Sequence, residues 1–169
     1  MSNELITERL VLKEIQKEDV DIIYKLRSNA DVNTFIQRDL YKTKEEALLY
    51  INKTQALINE GKAIVWILNT RDNKESIGTI CLWNFSKDKT IAEVGYDLLP
   101  EFQGKGYMFE TLERVLTFGF NVLSLNIIEA YTHNKNVNSI RLLEKANFKL
   151  LKERLDKGFP NNVIYSVKQ

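Results

Sequence analysis

A chain of 169 residues that is 44% hydrophobic and 28% charged has the composition of one globular domain with enough length to bury a sizeable core. Its 24 Lys and Arg nearly cancel its 23 Asp and Glu, so the net charge of +1 gives no global field for nucleic acid or an anionic membrane. No stretch approaches the ~20 apolar residues of a membrane span, the opening Met1-Ser-Asn-Glu lacks an apolar h-region, and the lone Cys81 has no disulfide partner; one cytoplasmic domain over residues 1–169 is expected.

Residues 6–15 alternate apolar and polar side chains and read as a strand, followed by a helix over 17–27 with Val20, Ile23 and Tyr24 on one face. Thr43-Lys-Glu-Glu46 is a capping box that opens a second helix, which should run to Glu60 and end at a left-handed Gly61. Residues 63–69 and 76–85 are β-rich and separated by the turn-forming Arg71-Asp-Asn-Lys74, a pattern for an antiparallel hairpin. Cys81, inside the apolar run Ile80-Cys-Leu-Trp83, is expected to pack as a small hydrophobe.

Residues 91–99 form the next strand, where period two puts Ala92, Val94, Tyr96 and Leu98 on a core face and Glu93, Gly95 and Asp97 on the other. Glu93 and Asp97 then lie ~13 Å apart along an ideal strand, too far for a carboxylate dyad unless a bulge at Gly95 shifts the register. From Gly106 to about residue 123, Met108, Leu112, Val115, Leu116, Val122 and Leu123 recur at helical spacing, with Glu110 and Arg114 as a surface i,i+4 pair. A strand over 126–132, a helix over 138–145 and strands over 149–154 and 163–167 complete the chain. The strand–helix–strand over 91–132 suits a right-handed parallel crossover, so a mixed α/β sheet with helices on both faces is expected.

Pro100-Glu-Phe-Gln-Gly-Lys-Gly-Tyr-Met108 places glycines between a strand end and a helix start, where free backbone amides and the positive end of the helix dipole favour an anion. The segment is not a Walker loop, because Gly106 stands where Ser or Thr belongs. Nor is it the Gly-x-Gly-x-x-Gly dinucleotide fingerprint, because Phe109 occupies the third glycine position.

Gln103-Gly104-Lys105-Gly106-Tyr107-Met108 resembles the cofactor motif of the GNAT acetyltransferases, Gln/Arg-x-x-Gly-x-Gly/Ala, at five of six positions; Met108 replaces the final small residue. The opening Ile6-Thr-Glu-Arg-Leu-Val-Leu-Lys13, Glu93-Val-Gly-Tyr96, and Asn136-Val-Asn-Ser139 leading to Glu144-Lys-Ala-Asn-Phe148 are similar to the branch containing the ribosomal-protein alanine N-acetyltransferases. Asn147 stands where that branch has glycine, and asparagine tolerates a left-handed helix cap.

The resemblance implies a GNAT fold of six or seven strands in a mostly antiparallel sheet with one parallel crossover. It also implies acetyl-CoA as donor, no metal, and direct transfer to a primary or N-terminal amine, with a protein N-terminus or a small amine as partner and a homodimer allowed. Gln103 to Met108 would bind the pyrophosphate, Leu98 and Leu99 would lie along the pantetheine arm with the Leu98 amide facing the acetyl oxygen, and Asn136 would contact the cofactor. Glu93 is the first candidate base, acting through water, and Ser139 the candidate proton donor to the departing thiolate.

The plainer readings are a solvated strand-edge carboxylate for Glu93 and a first-turn hydroxyl bound to backbone for Ser139. His133 follows as a further base candidate, and Tyr107, Phe102, Phe109, Phe118 and Phe120 read as packing residues. Acceptor recognition is expected from residues 28–41 and from Lys157-Gly-Phe-Pro-Asn161. A non-catalytic acyl-CoA-binding module and a phosphate-binding interaction domain are the competing classes.

Overall fold

The computed structural model describes residues 3–169. One sheet of eight strands runs through it: β1 (Leu5–Ile6), β2 (Leu10–Glu14), β3 (Ala63–Thr70), β4 (Ser76–Trp83), β5 (Ile91–Leu98), β6 (Ile127–His133), β7 (Lys149–Leu150) and β8 (Asn162–Lys168). Their order across the sheet is the chain order except that β8 lies between β6 and β7. All neighbours are antiparallel apart from β5 and β6, which the crossover helix α3 (Tyr107–Asn121) joins in parallel.

The architecture is the expected mixed α/β one, with eight strands rather than six or seven because two are two-residue edges. Residues 6–15 are not one strand: Thr7 turns the chain, its amide and hydroxyl both bonding the Leu10 carbonyl, and β1 folds back onto β2. Residues 149–154 shorten to β7, after which the chain turns and carries Arg154 to the sheet face.

Helices α1 (Val20–Ser28) and α2 (Lys44–Asn59) cover one face, where Ile22, Ile23, Leu26, Ala47 and Ile51 pack on Val65 and Ile67. The Thr43–Glu46 capping box forms, and Gly61 ends α2 at φ +66°. The other face carries α3 and α4 (Val137–Lys145), with Leu112, Val115 and Leu143 against Trp66, Ile80 and Ala130. Phe118 meets the edge of Trp66 in this core, whereas Val122, expected on the apolar face of α3, lies beyond its end and is 65% exposed. Asn147 takes φ +66° after α4, the left-handed position its sequence context anticipates, and directs Phe148 into the core.

Candidate active site

β5 and β6 pair over only three residues, Ile91 with Ile127, Ala92 with Ile128 and Glu93 with Glu129. Beyond Glu93, β5 continues to Leu98 and β6 to His133 without pairing, so the sheet parts and strand-edge backbone groups face the gap. On its other side β5 stays in unbroken register with β4 from Glu93 opposite Trp83 to Leu98 opposite Gly78. There is thus no bulge at Gly95, and Glu93 and Asp97 keep their full strand separation.

The backbone alternation decides which groups face the gap. The Leu99 amide donates to the Ile77 carbonyl, which places residue 99 at a hydrogen-bonded position of the β4–β5 ladder. The amide and carbonyl of Leu98 therefore turn to the opposite side, where the carbonyl accepts from Gln103 Nε2 at 2.9 Å. Leu98 keeps an amide facing the gap; Leu99 does not, and its side chain packs beneath α1 and α2.

At the mouth of the gap a short 3-10 turn (Pro100–Phe102) leads into Gly104, Lys105 and Gly106. Gly104 and Gly106 have φ +72° and +84°, a left-handed region where a side chain is strained. The first helical bond of α3 runs from the Glu110 amide to the Gly106 carbonyl, so the amides from Gly104 to Phe109 lack backbone acceptors among the described residues. This concave run of donors at a helix start fits a pyrophosphate, with the Lys105 ammonium above the Phe102 ring adding a nearby charge. Met108 points its side chain into the core at 8% exposure, so its bulk does not enter the cradle.

A distant residue that sequence reading left unassigned shapes the loop. Arg9 Nε pairs with Glu110 Oε2 at 2.7 Å, its Nη1 donates to the Lys105 carbonyl at 2.9 Å, and its guanidinium lies 4.3 Å from the Tyr107 ring centre. Glu110 is therefore not partnered by Arg114, whose Nε instead donates to the Ile6 carbonyl. The signal for Arg9 lay only in the Thr-Glu-Arg opening, because no local spacing couples residues 101 positions apart.

Across the gap, Asn136 caps α4 by accepting from the Ser139 amide at 3.2 Å. Ser139 is 9% exposed, and among the described residues its hydroxyl bonds no backbone group; it lies 2.7 Å from the Tyr96 hydroxyl. Burial pushes Tyr96 up to about 12, so it is a neutral phenol at ordinary pH. Strand alternation put Tyr96 in the core, and it does point to that face, but the parting of the strands leaves its hydroxyl at the site.

On the opposite sheet face a cleft of about 750 Å³ runs over Cys81, Glu93, Gly95 and Asp97. Residues 34–38 and 159–162 wall it, so both segments expected to recognise an acceptor border this space. Burial pushes the Glu93 carboxyl up to about 7, reinforced by the negative charges of Asp156 and Glu129 and only partly opposed by a hydrogen bond from Asn84 Nδ2 at 3.4 Å. Glu129 is neutralised by Arg154 and also accepts from the Tyr131 hydroxyl. Asp97 pairs with Arg38 at 3.3 Å.

Burial pushes the Cys81 thiol up to about 12, which leaves it protonated and a poor nucleophile. His133 lies at the rim against Phe35, its Nδ1 accepting from the Lys135 amide at 3.1 Å. The geometry brings Glu93, Tyr96, Ser139, Asn136 and the Leu98 amide around one gap, with the Gln103–Met108 cradle at its end.

Residues 9–149 match the family model described as acetyltransferase (GNAT) domain. An uncharacterized N-acetyltransferase of Bacillus subtilis, YoaA, is 34% identical over 144 residues, covering 85% of this chain and 81% of that protein. Among solved structures, the ribosomal-protein-S5-alanine acetyltransferase of Vibrio fischeri superposes with a TM-score of 0.82 at 19% identity, over 98% of this chain and 96% of that one. The spermidine N-acetyltransferase of Vibrio cholerae, solved with CoA and spermine, gives 0.79 at 22% identity over 95% of each chain.

Proposed function

The chain belongs to the acetyltransferase (GNAT) family and is an acetyl-CoA-dependent N-acetyltransferase, and from that premise we propose that it acetylates the free amino terminus of a peptide or protein in the cytoplasm. The observation that carries this reading is a half-buried carboxyl, Glu93, held near a neutral-pH titration at the point where β5 and β6 part. A cleft of about 750 Å³ beside it, walled by residues 34–38 and 159–162, has room for more than a compact amine, and one structural neighbour acts on an alanine of a ribosomal protein.

Acetyl-CoA supplies the thioester when bound, and the chain's own residues organise the rest. The amides from Gly104 to Phe109 hold the pyrophosphate, and Asn136 and the gap-facing edge of Leu98 border the arm. Glu93, ionised above its titration point, takes a proton from the amine through one water, so that the nitrogen presents a lone pair to the acetyl carbon. The Leu98 amide donates to the acetyl oxygen as charge develops there. As the carbon–sulfur bond breaks, Ser139 gives its proton to the sulfur and takes one from the Tyr96 hydroxyl 2.7 Å away, and the second proton released by the acetylated nitrogen restores Tyr96 through solvent.

The test is free-thiol release from acetyl-CoA with peptides carrying free amino termini, the same peptides blocked, and spermidine. Turnover with free but not blocked peptides is expected. Turnover with spermidine alone would replace the acceptor and leave the transferase.

A further inference from the structure

The acceptor cleft has two ends of opposite charge. At one end stand Arg27 from α1 and Arg38 from the segment after it, with Asp97 as the single carboxylate between them. Arg38 is satisfied: it donates to Asp97 at 3.3 Å and to Asn33 Oδ1 at 2.6 Å. Arg27 is not. Its guanidinium lies 3.9 Å from the Tyr50 ring centre and 5.6 Å from that of Tyr41, and its one hydrogen bond among the described residues is a 3.5 Å contact to the Tyr41 hydroxyl. It has no carboxylate partner among the described residues, although a guanidinium carries five donors.

A half-buried arginine held over the face of an aromatic ring has lost much of its rotamer freedom before any ligand arrives, and a guanidinium is shaped for a planar carboxylate. At the other end stands Glu93, whose strand neighbour Glu129, outside the cleft lining, is paired with Arg154. Between the ends the floor is low, because Gly95 faces Cys81 across the β4–β5 ladder.

We propose that the acceptor carries a carboxylate which pairs with Arg27 while its amine faces Glu93. This rests on the peptide-terminus reading above and names the class of terminus. Glu93 and Asp97, which stands at the arginine end of the cleft, are four positions apart on β5, ~13 Å on an ideal strand. An extended peptide covers about 3.5 Å per residue, so with part of that span bridged by the glutamate and arginine side chains the carboxylate belongs roughly two to three residues from the amine. A free α-amino acid, with both groups on one carbon, does not bridge the ends. A polyamine would set an ammonium against Arg27.

The test compares kcat/KM for the amidated peptides Ala-Ala-Glu, Ala-Ala-Gln and Ala-Ala-Lys, with trialanine as free acid and as amide, and with spermidine. The glutamate peptide should exceed the glutamine peptide by about ten- to a hundred-fold, the range of a charge-assisted pair, and the lysine peptide should be poorest. A gain confined to glutamate assigns an acidic side chain; a gain shared with free-acid trialanine assigns any carboxylate at that distance, and either supports the pairing. Arg27→Met should bring the glutamate-to-glutamine ratio close to one, and Arg27→Glu should move the preference to lysine, with acetyl-CoA affinity as the check on folding. Equal rates for the glutamate and glutamine peptides in the unmodified protein, or a ratio that survives both substitutions, would overturn the inference. If spermidine reacts and no peptide does, the peptide-terminus reading fails and this inference with it. If peptides react without regard to charge, that reading stands and only the carboxylate falls.

Discussion

Glu93 and Glu129 are opposed to each other as the last paired residues of β5 and β6, on one face of the sheet, and among the described residues only Glu129 has a cation, Arg154. Burial is the main cause that raises Glu93, opposed by the hydrogen bond from Asn84 and reinforced by the negative charges of Asp156 and Glu129. Arg154 pairs with Glu129 and leaves Glu93 without a cationic partner among the described residues.

A carboxyl titrating near 7 is protonated and inactive as a base below that pH and ionised above it. The kcat/KM with a peptide acceptor should therefore rise through about pH 7 and level off, once the acceptor's own titration is allowed for. Glu93→Gln should lower turnover by ~10²- to 10⁴-fold and flatten that limb while leaving acetyl-CoA affinity unchanged, because the amide keeps the shape but accepts no proton. Loss of affinity in step with turnover would assign Glu93 to positioning. An unchanged rate and profile would remove it from the chemistry.

Arg154→Ala removes the cation paired with Glu129, and the loss of that positive charge nearby disfavours ionisation of Glu93. The rising limb should move to higher pH, with the plateau rate changed less than the midpoint. A midpoint that stays in place or moves down would show that the carboxylate pair is not coupled as its register implies.

Ser139→Ala removes the hydroxyl expected to protonate the thiolate, and Tyr96→Phe removes the group 2.7 Å behind it. The serine variant should lose more turnover, on the order of 10²-fold. The double variant should be no worse than the serine variant alone, since the tyrosine acts through it. Fully multiplicative losses in the double variant would mean that the two hydroxyls work independently.

Gly106→Asp puts a side chain at φ +84° within 3.2 Å of Arg9 Nη2 and a negative charge where phosphate approaches the start of α3. Acetyl-CoA dissociation constants, measured by calorimetry, should rise by at least about ten-fold. Thermal stability without ligand shows whether folding is affected separately. Unchanged affinity in a folded variant would place the pyrophosphate elsewhere.

The local elements were legible in the residues themselves: the Thr43–Glu46 capping box, left-handed Gly61 and Asn147, and the hairpin around Arg71–Lys74 all depend on neighbours a few positions away. Alternation in β5 likewise assigned the faces of Glu93 and Asp97, because period two is a property of any strand. It misjudged Tyr96 only in depth. A side chain's face follows from its position, but its exposure depends on whether the neighbouring strand stays paired.

What the sequence determined by itself was thus the order of strands and helices and the glycine loop at the start of α3, since backbone preference and hydrophobic period act over a few residues. The tertiary structure alone decided that Arg9 holds that loop from 96 residues away, that Arg154 pairs with Glu129, and that Arg27 lies over the Tyr50 ring beside a cleft. Each of these depends on charge or ring contact between groups distant in the chain. Such energies fall with distance in space and carry no trace in sequence spacing.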